Sequence, residues 1–426
     1  MADEYKPRII DAELLRRLKS TGAVVIEGPK WCGKSTTGFH HSNSAIYMDN
    51  PASKNQYALF AEVNPDLILD GDPPRLIDEW QLTPVIWDAV RYKVDHRFGM
   101  GQFILTGSAK PSDRTKISHS GTGRFAWLRM RPMSLFESGD SSGKISLGEL
   151  FSNSSAQVGC ETTSSLETIA YLTCRGGWPI TTILDKDVAL EPARNYYDAV
   201  VNVDIRQIDG VDRSVERAKR LMRSYARFQG TQTPVSQLTA DINGNGQNII
   251  EEKTAREYLN VLRAMFVIED MGAWNPNLKS KTAIRTTETL YFVDPSIATA
   301  SLGVGPGDLM NDLKTFGLMF ETLCVRDLRV YSQALDGEVF HYRDKNGLEC
   351  DAIVHLRDGR YGLIEIKIGG ETAINEAAAN LLKLASKIDT DKMKNPSFLM
   401  ILTAVGSFAY RRADGVIIVP INTLRD

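Results

Sequence analysis

Eight residues constrain this chain more than any others: Gly28-Pro29-Lys30-Trp31-Cys32-Gly33-Lys34-Ser35. They follow Ala23-Val24-Val25-Ile26, a short β-branched run that reads as a strand. They lead into Lys34–Thr37, where a helix is expected to begin. A G-x-x-x-x-G-K-S loop in that setting is suited to wrapping phosphates. Its glycines let the backbone curl until successive N–H groups face inward, and the start of the helix adds positive potential. Lys34 is then placed for the β- and γ-phosphates of ATP, and the Ser35 hydroxyl for a Mg²⁺ ion, with Thr36 beside it.

Three more short apolar runs follow, and each ends in polar residues. Ala45–Met48 ends in Asp49, Arg75–Ile77 in Asp78-Glu79, and Gln102–Leu105 in Thr106-Gly107-Ser108. Strands alternating with helical segments over residues 1–133 predict a parallel α/β sheet covered on both faces. Such sheets bind ligands at the carboxyl ends of their strands, where these polar residues gather. Asp78 is expected to hold the magnesium hydration shell and Glu79 to orient and deprotonate the attacking water. Thr106 and Ser108 are placed to sense the γ-phosphate. Arg124, after Gly123, is a candidate finger reaching the nucleotide of a neighbouring subunit; a surface ion pair is its plain alternative.

Composition narrows the partners. A formal charge of −3 over 426 residues leaves nucleic-acid contact to a local basic patch. The five cysteines are scattered without a C-x-x-C pair, and no apolar leader or membrane-length run is visible. A reducing cytoplasm is the expected location. The basic patch is Arg213, Arg217, Lys219, Arg220, Arg223 and Arg227, on a helix with two more helices (Pro234–Ile242 and Glu251–Phe266) and a β-ribbon after it. That outline is a winged helix, whose cations either contact phosphates or pair with Glu216 and the Glu251-Glu252 stretch.

The last segment opens with a helix containing Glu321 and continues as a three-strand meander, a helix through Glu371–Lys387, and further strands. Even positions of Leu348–Leu356 and of Tyr361–Ile368 are mostly apolar, which predicts an even, core-facing side and an odd, polar one. Three-residue loops at Arg357-Asp358-Gly359 and Lys345-Asn346-Gly347 then set Asp351 across from Glu365, with Lys367 beside them, and His341 opposite Asp351. Two facing carboxylates need a shared proton, a cation or a metal. Mg²⁺ or Mn²⁺ on Asp351 and Glu365, with Lys367 positioning a water, suits phosphodiester attack; a solvated strand face with a salt bridge is the alternative.

Gly28–Ser35, Asp78-Glu79-Trp80-Gln81, Leu105–Ser108, Gly123-Arg124, Met133–Glu137 and Gly176-Gly177-Trp178-Pro179 together resemble AAA+ superfamily ATPases of bacteria and archaea. Asp351…Glu365-x-Lys367, with Glu321 upstream on the preceding helix, resembles the PD-(D/E)XK nucleases, which implies Glu321 as a metal residue beside Asp351 and Glu365. The resemblance implies an α/β fold in four parts: an AAA+ core over 1–133, a helical lid and connector over 134–212, a winged helix over 213–294, and a restriction-endonuclease-like domain over 295–426. It also implies a homo-oligomeric ring or filament with ATP at subunit interfaces, acting on DNA. An inactive nuclease fold serving as a nucleotide-switched DNA-binding scaffold, or an ATPase that remodels a protein partner, are the other outputs it allows.

Overall fold

The computed structural model describes residues 5–97, 99–108, 121–153, 158–207, 211, 213–244, 249–279 and 283–426, with the backbone alone at 207. The chain divides into two compact units. The first comprises Met1–Pro132, Val203–Arg213 and Asn260–Phe266; the second comprises Met133–Asn202, Ser214–Leu259 and Val267–Asp426. The division expected near 295 falls inside the second unit, and the one expected near 213 falls where a segment of the first unit ends at Arg213 and one of the second begins at Ser214.

In the first unit, strands β1 (Ala23–Glu27), β2 (Ser44–Tyr47), β3 (Arg75–Asp78), β4 (Phe103–Gly107) and β5 (Phe125–Arg129) form a sheet in the order β2-β3-β4-β1-β5. Every pairing is parallel. Alternate residues enter two separate cores: Val25, Ile77 and Leu105 pack with Trp80 and Trp87, while Val24, Ile26, Leu76 and Ile104 pack with Leu14 and Leu18. That is the burial on both faces that a parallel sheet requires. Four strands lie within two residues of expectation. The fifth, β5, completes the sheet on the far side of β1. Because β4 runs between β1 and β3, Thr106 stands between the phosphate loop and Asp78-Glu79.

The second unit holds a seven-stranded mixed sheet. Its strands are β7 (Gly159–Glu161), β8 (Gly337–Arg343), β9 (Glu349–Leu356), β10 (Tyr361–Lys367), β11 (Phe398–Thr403), β12 (Phe408–Arg411) and β13 (Ile417–Pro420), in the order β7-β12-β13-β11-β10-β9-β8. A small pair joins β6 (Ile145–Ser146) to β14 (Leu424–Arg425). The connector segment thus contributes strands at two places. The expected helices are found at Leu313–Ala334 and Glu371–Lys387.

Both meander turns form as the parity argument requires. Gly347 and Gly359 sit at φ +81° and +83°, and Leu356 N–H donates to the Arg360 carbonyl at 2.8 Å. The ladder ends with Ile364 opposite Ala352, one residue before Glu365 on β10 and one after Asp351 on β9. One expectation and one alternative need correction. His341 does not face Asp351: the β8–β9 register slips between Phe340 and Tyr342. His341 pairs its backbone with Gly272–Trp274 instead, and its ring meets Gln232 Nε2 and the Thr287 carbonyl, both at 2.9 Å. The odd face is not a solvated one either. Ile353, Tyr361 and Leu363 are buried with Ala377, Ala378 and Leu381 of the following helix.

Helices Val215–Phe228, Val235–Asn243 and Glu252–Ala264 precede a sparse antiparallel ribbon, bridged at Ile268–Phe292 and Met271–Thr289. Met133–Glu137 and Gly176–Trp178 are tied to one buried polar hub. Arg326 pairs with Asp294 and Asp327 at 3.0 and 2.7 Å. Gly177 N–H donates to Asp294 and Leu135 N–H to Asp327, while Trp178 Nε1–H donates to Ser296 Oγ at 3.0 Å. A Cβ on Gly177 would lie 2.1 Å from the Met133 carbonyl oxygen, so no side chain fits there. All five cysteines are free thiols. Among the described residues no helix is long and apolar enough to cross a membrane.

Candidate functional site

The loop after β1 forms because its residues tolerate what the path demands. Gly33 lies at φ +105°, in the region that favours glycine. A Cβ on Gly28 would fall 2.0 Å from the Met130 carbonyl oxygen. Cys32 turns its thiol into the core, while Trp31 and Lys30 face outward. Lys34 is buried and its Nζ donates to the Pro29 carbonyl at 2.7 Å, folded back within the loop. Lys30 pairs with Asp204 at 2.7 Å. Ser35 donates to Asp78 from the first turn of the Lys34–His40 helix, on which Thr36 is exposed.

Asp78 and Glu79 stand at the end of β3 with neutral donors around them. The Asp78 carboxylate accepts from Thr106 Oγ1, and Glu79 Oε1 accepts from Ser108 Oγ at 3.0 Å. Gln81 Nε2 donates to Glu79 Oε2, and the Glu79 N–H reaches Thr106 Oγ1 at 3.3 Å. Glu79 holds φ +55°, a left-handed conformation that costs a non-glycine residue about 1–3 kcal/mol. Burial pushes the Asp78 carboxyl upward; the hydrogen bonds from Thr106 and Ser35 oppose this, and the charges of Glu79 and Asp49 add to it. Gln81 and Gly107 were not foreseen as members of this site. A Cβ at Gly107 would meet Gln81 Oε1 at 2.7 Å, so the glycine leaves room for the side chain that clamps Glu79.

Arg124 is half-exposed. Its Nε donates to Asp95 Oδ1 and its Nη1 to the Thr122 carbonyl, at 2.8 and 3.1 Å. Within a single chain, therefore, it forms the plain ion pair.

In the second unit, the structure brings Asp351, Glu365 and Lys367 together. Lys367 Nζ lies 2.9 Å from Asp351 Oδ2 and 2.7 Å from Glu365 Oε2. Asp351 also accepts the Ile366 N–H at 2.8 Å. Glu365 is 2% exposed, and its second oxygen, Oε1, is buried without a hydrogen-bond partner. Burial, reinforced by the Asp351 charge and opposed by Lys367, pushes the Glu365 carboxyl up to about 8. Glu321 makes its hydrogen bond outside the cluster, accepting from the Tyr291 hydroxyl beneath Gly230, but feels the charges of Asp351 and Lys367. Burial and the Asp351 charge raise it to about 8 as well. Among the described residues no three His, Cys, Asp or Glu side chains are grouped to hold a metal ion. The space between Asp351 and Glu365 belongs to an ammonium.

On the basic helix, Arg220 pairs with Glu216 at 2.9 Å and Arg227 with Asp241; Arg213, expected on this helix, lies before its first residue, is buried and donates to the Ile205 carbonyl. Arg256 pairs with Glu252 at 3.3 Å. Part of the patch is thus matched by acids, and Arg223 stays exposed.

Residues 20–138 match the family model described as an AAA domain. Residues 166–308 and 316–424 match two domains of unknown function, DUF8612 and DUF4143. The uncharacterised proteins Rv2008c of Mycobacterium tuberculosis and Mb2031c of Mycobacterium bovis are each 23% identical over 376 residues, 87% of this chain and 76% of theirs. Among solved structures, the Walker-type ATPase paby2304 of Pyrococcus abyssi has a TM-score of 0.41 at 13% identity, covering 68% of this chain and 94% of its own. The Aeropyrum pernix ORC2 protein, solved in ADPNP-ADP complexes, has a TM-score of 0.30 at 11% identity, covering 73% and 96%. The family match, the phosphate loop and the parallel sheet agree: residues 20–138 form a P-loop domain of the AAA type.

Proposed function

We propose that this protein hydrolyses ATP at the loop Gly28–Ser35. The observation that carries the proposal is the convergence of Asp78, Glu79, Thr106 and Ser108 at the ends of β3 and β4, alongside the strand that delivers the loop. In this reading the loop N–H groups and Lys34 neutralise charge growing on the γ-phosphate oxygens. Lys34 exchanges the Pro29 carbonyl for phosphate. Glu79, held by Ser108 and Gln81, orients a water and takes its proton at a carboxylate oxygen as the water oxygen bonds to phosphorus and the bond to ADP breaks. Ser35 and Asp78 would hold Mg²⁺, and a cation fits there because it relieves the cost of a buried Asp78 carboxylate. When bound, the ion supplies charge neutralisation at the β- and γ-oxygens. Assembly into a ring or filament would let Arg124 leave Asp95 for a neighbour's nucleotide. The test is phosphate release by Lys34→Ala. A fall of about 10²-fold or more is expected, and turnover at the wild-type rate would refute the assignment.

We further infer a nuclease-like output on DNA. The three helices and ribbon over 215–293 serve as a winged-helix module, and Asp351, Glu365 and Lys367 form the reacting cluster. The orphaned Glu365 Oε1 supports a divalent cation there, held by Asp351 and Glu365. The Lys367 bridge favours a second reading, a DNA-binding scaffold whose nuclease fold is silent. Cleavage of duplex DNA in Mg²⁺ or Mn²⁺, lost in Asp351→Ala and Lys367→Ala, supports the first reading. Tight DNA binding without cleavage supports the second.

A further inference from the structure

The phosphate loop is gripped from outside by a residue that none of its motifs contains. Arg8 is 6% exposed; its Nη1 donates to the Cys32 carbonyl at 2.7 Å and its Nη2 to the Arg131 carbonyl at 2.9 Å. Arg131 lies just past β5, so the guanidinium ties the loop to the end of a strand. In a trans peptide the C=O and the following N–H point in opposite directions. Fixing the Cys32 carbonyl outward therefore fixes the Gly33 N–H toward the side where phosphates bind. Gly33, at φ +105°, has no conformational preference that would hold the plane by itself.

A second tier fixes Arg8. Its backbone N–H donates to Asp11 Oδ2 at 2.8 Å, and Asp11 Oδ1 accepts from the Tyr5 hydroxyl at 2.7 Å. That hydroxyl also meets Thr37 Oγ1 at 3.1 Å, on the helix the loop leads into. The Tyr5 ring stacks on His40 at 3.8 Å, and His41 Nε2 lies 3.2 Å from Asp11. The segment from Tyr5 to Asp11 thus holds both the loop and the helix after it.

We propose that Arg8 is a positioning residue for the phosphate loop, presetting the Cys32–Gly33 peptide to receive nucleotide phosphates. The proposal rests on the ATPase reading. The guanidinium fork reaches the two carbonyls from two nitrogens held in one plane, a fixed spacing that the single ammonium nitrogen of lysine, on its flexible stem, does not reproduce. Loss of the fork should therefore weaken nucleotide binding even where the charge is kept.

The experiment measures KM and kcat for ATP, and the Kd of a fluorescent ATP analogue, in the full-length wild type, Arg8→Met and Arg8→Lys. Circular dichroism checks folding in each. Arg8→Met should raise KM and Kd about tenfold, or about 1.4 kcal/mol, with kcat at saturation changed much less. Arg8→Lys should recover less than half of that loss on a logarithmic scale. A folded Arg8→Met with wild-type KM and Kd overturns the proposal, as does full rescue by lysine, which would make the effect one of charge. Should Arg8→Met not fold, Asp11→Asn and Tyr5→Phe loosen the second tier. They should raise KM measurably, and unchanged KM in both overturns the proposal. Wild-type protein that binds no nucleotide overturns the ATPase reading and this one with it; binding by the wild type and equally by the variant overturns this one alone.

Discussion

The two acidic clusters of this molecule meet their charge in opposite ways. At the ends of β3 and β4, Asp78 and Glu79 are matched by neutral donors: Ser35, Thr106, Ser108 and Gln81. The cation of that site, Lys34, rests on a neutral carbonyl. Neither sign has been cancelled, so charges of both signs stay available to a guest. On β9 and β10, Asp351 and Glu365 share the ammonium of Lys367 in a largely buried setting. A guest there must first break an internal ion pair, and stripping one partner from such a pair is costly. The first cluster is arranged for binding, whereas the second is arranged to be stable until something displaces its lysine.

Arg124 gives the largest test of the contrast. A trans-acting finger is worth about 10³-fold or more in turnover, so under the proposed assignment Arg124→Ala should abolish hydrolysis while sparing ATP binding. Unchanged phosphate release would leave it as the Asp95 ion pair. Next is Asp351→Ala, which frees Lys367 from one of its two carboxylates. Metal-dependent DNA cleavage should drop to background while ATP turnover stays at the wild-type level. If both activities fell together, the clusters would not be the separate systems described here.

A smaller effect concerns pH. Glu321 and Glu365 are each raised on folding from 4.5 to about 8. A carboxyl raised in this way binds its proton more tightly when folded. Its stabilisation is complete below about 4.5 and is lost as pH rises through about 8. Melting temperature should therefore fall between pH 6 and pH 9, and Glu321→Gln, neutral at both, should reduce the fall. An equal slope in the variant would place the raised group elsewhere. The smallest effect is at the basic helix: DNA affinity should drop steeply with salt, and Arg223→Ala should lower the logarithmic slope by about one unit. Affinity insensitive to salt would exclude backbone contact.

The loop, four strands of the first sheet and both meander turns were legible because each depends on local signals. These are β-branched runs, a glycine where φ must be positive, and a period of two that sets register. The approach of Glu365 to Asp351 followed from strand parity and loop length together. What was missed depends on contacts between distant segments. Strand β5 is as long as β1 but carries Trp127 and Arg129 outward and ends in no acidic or hydroxyl residue, so nothing marks it until β1 offers an edge. His341 left its expected place because one slipped residue reverses a two-residue period beyond it. Arg8 lies 24 residues before the carbonyl it holds. The alternative of a solvated meander face fails on burial, which strand parity does not reveal because it does not say what packs above a sheet; here Glu365 is buried.

The central claim, that Glu79 activates water at a nucleotide-loaded phosphate loop, is tested most directly by Glu79→Gln in a paired assay of ATP binding and phosphate release. The amide keeps the shape and one acceptor for Ser108 but cannot take the proton. Binding should stay within about twofold of the wild type while turnover falls about 10²–10⁴-fold. Phosphate release at the wild-type rate by a protein that binds ATP normally would contradict the account.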